Sequence, residues 1–264
     1  MGMIIWSENH KSMDFYGKLV DQHGDPVVGA KVVAAMGVVI SPVESGGQKI
    51  ELKTDEAGRF SLLGHHASGV GFIPSKDGYL FSQRQEGSTR PNDYVPDPGK
   101  PMVLRMWKLK GAEWMIHTSI QGGLACDGTP RRFDPMTGRR DIGPLVVTLT
   151  RKPLNLPARR DTPFDWTLTL EIEGGGLIPT NDIYPYQASV DGYKSQSISM
   201  LAGDKHWLPW VTQSYYVFDG KNYGCITIDL AADYQPPPTH FEVKAYMNPA
   251  GSRNLEFDPY KQIR

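Results

Sequence analysis

The chain is poor in cysteine, in long apolar runs and in excess charge of either sign, and each scarcity excludes something. Two cysteines, Cys126 and Cys225, among 264 residues exclude a disulfide-stapled scaffold. They are consistent with one bridge in an oxidising compartment or with two buried thiols. No stretch approaches the roughly 20 apolar residues that a membrane helix needs, and residues 1–6 carry neither a basic segment nor a signal core. Lys plus Arg number 28 against 29 Asp plus Glu, so no net field exists to hold nucleic acid or an anionic membrane. The pairs Arg131-Arg132, Arg139-Arg140 and Arg159-Arg160 are short and scattered, and read as solvated turns. Also missing is any run of eleven or more residues with a 3.6-residue apolar period, which makes helix a minor component.

What is present points to many short strands. Twenty-eight Gly, 21 Pro and 10% aromatics suit strands joined by tight turns, because Gly permits positive φ and Pro fixes the negative φ that a turn's second residue adopts. Two-residue alternation is plain in Thr167-Leu168-Thr169-Leu170-Glu171-Ile172 and in Cys225-Ile226-Thr227-Ile228-Asp229-Leu230. The expected fold is therefore all-β. At this length, with 39% apolar residues, it divides into two sandwiches in tandem, each with its own core.

Three turn-and-strand units organise the first half. Residues 15–32 alternate, turn on Gly24-Asp25-Pro26 and alternate again, which reads as a hairpin. Residues 54–62 place an Asp and Gly turn before a strand whose Phe60 and Leu62 share a face. Residues 71–79 end an Asp77-Gly78 turn on Tyr79. In this order and spacing the three units resemble the carboxypeptidase regulatory-like family. The resemblance implies a seven-stranded prealbumin-like sandwich over 14–108, an extracytoplasmic setting and an accessory role, with no catalytic residue to carry over. It also makes the expectation a secreted, mature chain whose signal has been removed. His65 and His66 read as surface turn residues, since no acidic or thiol partner stands at metal-ligand spacing.

Residues 84–101 are polar and proline-rich and read as a loop, followed by a closing strand at 101–107 and a boundary near 110. The second domain, 111–264, opens with strands expected around 115–121, 143–151 and 166–173, with turns at Asp127-Gly128 and Thr137-Gly138. Gly174-Gly175-Gly176 is not a phosphate loop, because no Lys-Ser or Lys-Thr follows and the chain runs on to Pro179. A bulge or sheet corner is the expectation. The ending, a strand at 241–246 followed by residues 248–256, resembles the tail of bacterial secreted proteins that carry a regulatory-like domain in front.

Function is sought in residues 182–224, read as aromatic-rich loops. Tyr184, Tyr186, Tyr193, Trp207, Trp210 and Tyr216 with Asp204 and His206 form the candidate binding set. Ring faces pack against the C–H groups of a sugar while polar side chains take its hydroxyls. Core packing accounts for many of the aromatics, and in Tyr215-Tyr216 adjacent rings must face opposite sides. The expectation is a non-catalytic secreted accessory protein that binds carbohydrate or a surface partner. It needs no cofactor or metal, and nucleic acid and membrane insertion are not expected. Two alternatives stand beside it. One is a polysaccharide-active enzyme using two of Glu171, Glu173, Asp182 and Asp204, or His206. The other is a structural subunit that pairs through sheet edges.

Overall fold

The computed structural model describes residues 12–41, 44–67, 69–82, 88–89, 94–152, 162–233, 239–258 and 260–263. Among them every regular element is a strand, so no helix is long and apolar enough to cross a membrane. The chain divides into two compact units, Met1–Lys110 and Gly111–Arg264.

The first unit holds β1 (Ser12–Val20), β2 (Lys31–Ser41), β3 (Glu44–Lys53), β4 (Arg59–His66), β5 (Gly69–Ser75), β6 (Tyr79–Leu80), β7 (Ser88–Thr89), β8 (Met102–Arg105) and β9 (Trp107–Lys108). They form a sheet in the order β4-β1-β8, a second in the order β3-β2-β5-β7, and a short β6-β9 pair. The inward positions are apolar: Phe15 and Leu19 on β1, Val32 and Ala34 on β2, Phe60 and Leu62 on β4, and Val70 and Phe72 on β5. The Phe15 ring lies 4.1 Å from that of Phe72 and 6.0 Å from that of Phe60. Gly17 makes room for this packing, since a Cβ there would stand 2.2 Å from the Phe60 ring.

The hairpin expected over 15–32 closes only as a tight turn, with Val20 bridged to Pro26 and Val27 N donating to the Leu19 carbonyl at 3.0 Å, and its two long strands do not pair. β1 pairs with β4 and β8, whereas β2 pairs with β3 and β5. Asp21, 5% exposed, explains the crossing. Its Oδ1 accepts from the amides of His23 and Asp25, and buried Val27 and Ala30 then carry the chain into the opposite sheet. Asp55 repeats the device before β4, accepting from Ala57 and Arg59. Phe60 and Leu62 do share the inward face. His65 and His66 belong to β4, opposite Met13 and Ser12, rather than to a turn. Of the loop expected at 84–101, residues 88–89 are strand β7, while 84–87 and 90–93 lie outside the described residues.

The second unit holds β10 (Met115–Leu124), β11 (Arg131–Phe133), β12 (Leu145–Arg151), β13 (Trp166–Ile172), β14 (Gly176–Thr180), β15 (Gln196–Met200), β16 (Trp210–Phe218), β17 (Tyr223–Ala231), β18 (Thr239–Asn248) and β19 (Gln262–Ile263). A six-stranded sheet, β14-β16-β17-β18-β10-β19, faces a four-stranded one, β11-β12-β13-β15. The interior between them is filled by alternate residues: Leu145, Val147 and Leu149 on β12, Trp166, Leu168 and Leu170 on β13, Ile226, Ile228 and Leu230 on β17, and Phe241, Val243 and Ala245 on β18. The glycines at 174–176 are the corner at which the chain leaves β13 and enters β14 in the other sheet. Strands β15 and β16 occupy part of the stretch read as loops, and β16 runs unbroken from Trp210 through Tyr216.

The two cysteines are free and do not meet. Cys126 packs against the interior between the sheets, whereas Cys225 belongs to a separate cluster on the outer side of the six-stranded sheet. Burial pushes both thiols up, Cys225 to about 12, so neither has thiolate character at neutral pH. A thiol reagent such as DTNB at pH 8 is expected to leave Cys225 unmodified in the folded chain and to titrate two thiols in urea. Two fast native equivalents would contradict this placement.

Candidate functional site

Strand register places the outer face of the six-stranded sheet residue by residue. Alternation turns Val211, Tyr215 and Val217 inward and Trp210, Thr212, Ser214, Tyr216 and Phe218 outward. Trp210 stands beside Ala231, Thr212 beside Asp229, Ser214 beside Thr227, and Tyr216 beside Cys225. Across the next pairing Asp229 meets Glu242, Thr227 meets Lys244, and Cys225 meets Tyr246. Beyond these, Glu242 meets Gln121, Lys244 meets Ser119, and Tyr246 meets His117.

One half of this face is covered. Ala188 and Leu255, both buried, belong to the same cluster as Tyr216 and Cys225, with Tyr193, Tyr223 and Tyr246 packed against it. Two segments build the cover and are stitched together by Ala188 N to Arg253 O and Leu255 N to Tyr186 O, each 2.9 Å. The Tyr216 hydroxyl donates to Asp182 at 2.7 Å, and Tyr193 donates to the Ser189 carbonyl at 3.1 Å. Burial raises both phenols, Tyr193 to about 12.

The other half is open and polar. Its ring is Trp210, 53% exposed. Thr212 donates to Asp229, Ser119 donates to Glu242 at 2.9 Å, and Lys244 lies 3.3 Å from Glu242 and 3.9 Å from Asp229. Like charges side by side across strands repel, and the shared ammonium offsets this. Desolvation pushes the Glu242 carboxyl up, but hydrogen bonds from Ser119, Lys244 and Gln121 outweigh it and hold the group below its ordinary value. Glu242 is therefore ionised and acceptor-only at neutral pH. The outer face of the four-stranded sheet differs: Thr148, Thr150, Thr167, Thr169, Ser197 and Ser199 line it, without an aromatic ring among the described residues of its strands.

The eight candidate residues do not form one platform. Tyr216 is buried at 7% exposure, and Tyr193 is half-buried within the cover, its ring tilted against those of Phe218 and Tyr223. Tyr184 and Tyr186 lie 5.6 Å apart, both half-buried. Trp210, Trp207, Asp204 and His206 lie toward the other end of β16, about 20 Å away along the strand. There Trp207 turns inward, its Nε1 donating to the Phe164 carbonyl at 2.8 Å with its ring edge-on to Phe164. Asp204 caps its own turn, accepting from Leu201 N at 2.9 Å. His206 is exposed and has no hydrogen-bond partner among the described residues. Of the six Tyr and Trp candidates, Trp210 alone is largely exposed. The polar partners Thr212, Asp229, Glu242, Gln121 and Lys244 were missed because cross-strand register, not sequence proximity, assembles them.

Nor do the candidate carboxylates converge. Glu171 and Glu173 lie exposed on the four-stranded sheet, where Glu173 forms a bidentate pair with Arg132. Asp182 is bound to Tyr216 on the opposite side of the sandwich. Among the described residues no group of three or more His, Cys, Asp and Glu side chains is placed to hold a metal. The aspartates at turns 127, 134 and 219 instead accept backbone amides.

No protein-family model and no curated protein matches this chain. Among solved structures, a leucine-rich repeat protein from Bacteroides thetaiotaomicron aligns with 95% of the chain at 9% identity and a TM-score of 0.17. The aligned part spans 26% of that protein's chain. So low a score carries no inference about fold or function.

Proposed function

We propose that this is a non-catalytic, extracytoplasmic accessory protein whose second unit binds carbohydrate on the open half of the six-stranded sheet. The observation behind the reading is the register that sets Trp210 on one face with the hydroxyls, carboxylates and ammonium of Thr212, Asp229, Glu242, Ser119 and Lys244. A ring for sugar C–H groups and a dense set of donors and acceptors for hydroxyls is the chemistry that a glycan requires. The first unit is read as a carboxypeptidase regulatory-like module. The order of its three turn signatures and its two facing sheets support that assignment, and the family's usual setting supports secretion.

The alternatives have less to rest on. A glycosidase needs two facing carboxylates around a bound sugar, and those named from the sequence sit on opposite outer faces. Pairing through sheet edges is disfavoured along β10, where Arg140 and Arg131 donate to the carbonyls of Gln121 and Gly123. Occupied carbonyls do not template a further strand.

The test is a glycan array probed with the full chain, followed by calorimetry with Trp210→Ala. Loss of the ring is expected to weaken binding about tenfold, the scale of one aromatic contact, with an unchanged melting temperature. An array without a binder, or a Trp210→Ala protein that binds like the parent, refutes the reading.

A further inference from the structure

Resting on the carbohydrate reading just given, we infer that the ligand is an uncharged glycan, bound as a segment of about three sugar units laid across the strands. The borders of the open face set both length and direction. Along the strands the ligand is stopped on one side, because the row of Tyr216, Cys225 and Tyr246 lies beneath the cover. Across the strands the face runs from Trp210 on β16 over β17 and β18 to Gln121 on β10. Gln121 lies one row on from Trp210, whose own row ends at Gly123, so the diagonal over three strand spacings and two residues is about 16 Å, close to three linked pyranose rings. The face ends on both sides. At Trp210 no strand among the described residues lies beyond β16, because β14 pairs with it only from Ser214 to Phe218. Beyond Gln121, the guanidinium of Arg140 occupies the edge of β10. The long axis of the ligand therefore crosses the strands, with one terminal unit on Trp210 and the other at Gln121.

Charge selects the class. The charged groups and histidines on or bordering this face are the carboxylates of Asp229 and Glu242, the ammonium of Lys244, the guanidinium of Arg140 and the Arg131–Asp141 pair at the rim, His240 beside Ala231 and His117 beside Tyr246. The three carboxylates are matched by the one ammonium and the two guanidinium groups, and Lys244 already serves Asp229 and Glu242. A polyuronide or sulfated chain would meet cations that already serve the face's own carboxylates and would gain no net field. A neutral polyol meets fixed acceptors and donors without a charge to desolvate.

The probes are gluco-, manno- and xylo-oligosaccharides of one to six units, with oligogalacturonates of the same lengths, titrated into the full chain. For the neutral series that binds, affinity is expected to rise about tenfold from one to three units, as a few added hydrogen bonds give, and to stay within about twofold from three to six. Oligogalacturonates are expected to bind at least about tenfold more weakly, for want of a net field. Gln121→Ala, at an exposed position, is expected to remove the gain between two and three units while leaving the disaccharide unaffected. Trp210→Ala is expected to weaken every length. A monosaccharide that binds as tightly as the trisaccharide, affinity that climbs through six units, or an oligogalacturonate that competes equally overturns the inference. Each of those outcomes leaves the carbohydrate reading standing through its Trp210 dependence. Failure of every probe, neutral and charged, together with a blank array overturns both.

Discussion

Trp166→Ala is expected to lower the stability of the second unit by about 3–5 kcal/mol, the range for deleting a large aromatic from a packed core. Trp166 is 1% exposed and among the largest fully buried side chains of the protein. It opens β13 opposite Arg151 of β12 and Met200 of β15, and the surrounding sheet pairings give its cavity little room to collapse. Its Nε1 also donates to the Leu208 carbonyl at 3.0 Å, tying the turn before Trp210 to the interior. Trp166→Phe separates the two roles. Phenylalanine keeps much of the volume but leaves the Leu208 carbonyl without its indole donor, a cost of about 1–3 kcal/mol where the group stays buried. Urea unfolding of the full chain is expected to show one transition moved strongly by alanine and modestly by phenylalanine, with the first unit's transition unmoved. If the carbohydrate reading holds, the phenylalanine variant also weakens glycan binding, because the chain entering Trp210 loses its tether. An alanine variant within about 1 kcal/mol of the parent would contradict the packing described here.

The all-β class was legible because the central strands announce themselves locally. In β12, β13, β17 and β18 every second residue is apolar, and those residues are the buried ones. The short strands β11, β14, β15 and β19 went unseen because two to five residues carry too little alternation to separate strand from loop. Pairing was harder still. Alternation tells which face a side chain takes but not which strand lies alongside. Hence β1 and β2, each alternating around a turn, read as a hairpin although they belong to different sheets. The candidate residues are divided between two places for the same reason. That Tyr215 and Tyr216 face opposite sides follows from their adjacency, and the structure places Tyr215 inward and Tyr216 outward. What covers Tyr216 depends on Ala188 and Leu255, which no local pattern connects to it. Asp229 and Glu242, thirteen positions apart in sequence, become neighbours only through the β17–β18 register.

The second large effect is expected at the corner between the two sheets. Gly175→Ala is expected to cost more than about 4 kcal/mol or to prevent the second unit from folding, the scale reserved for changes that break backbone packing. A Cβ at Gly175 would stand 1.8 Å from the Phe218 carbonyl oxygen and 2.7 Å from its carbon. Both are main-chain atoms of β16, whose end pairs with the start of β14 through Gly176 and Phe218. A side chain in the way would rotate aside at small cost; here a strand must move. Moving it opens the β14–β16 pairing, and with it the position of Leu177, which exchanges hydrogen bonds with Lys194 at 2.9 and 3.2 Å and is fully buried in the interior. Gly203 supplies the control. It lies in the exposed turn before Trp207, its φ is not positive, and a Cβ there would meet no atom within 4 Å. Gly203→Ala is expected to leave stability within about 0.5 kcal/mol of the parent, or to raise it slightly by narrowing the unfolded ensemble. Thermal unfolding of the two variants side by side distinguishes a glycine kept for close backbone approach from one that merely fills a turn. Equal melting temperatures would mean that β14 does not enter its sheet through a backbone contact at Gly175.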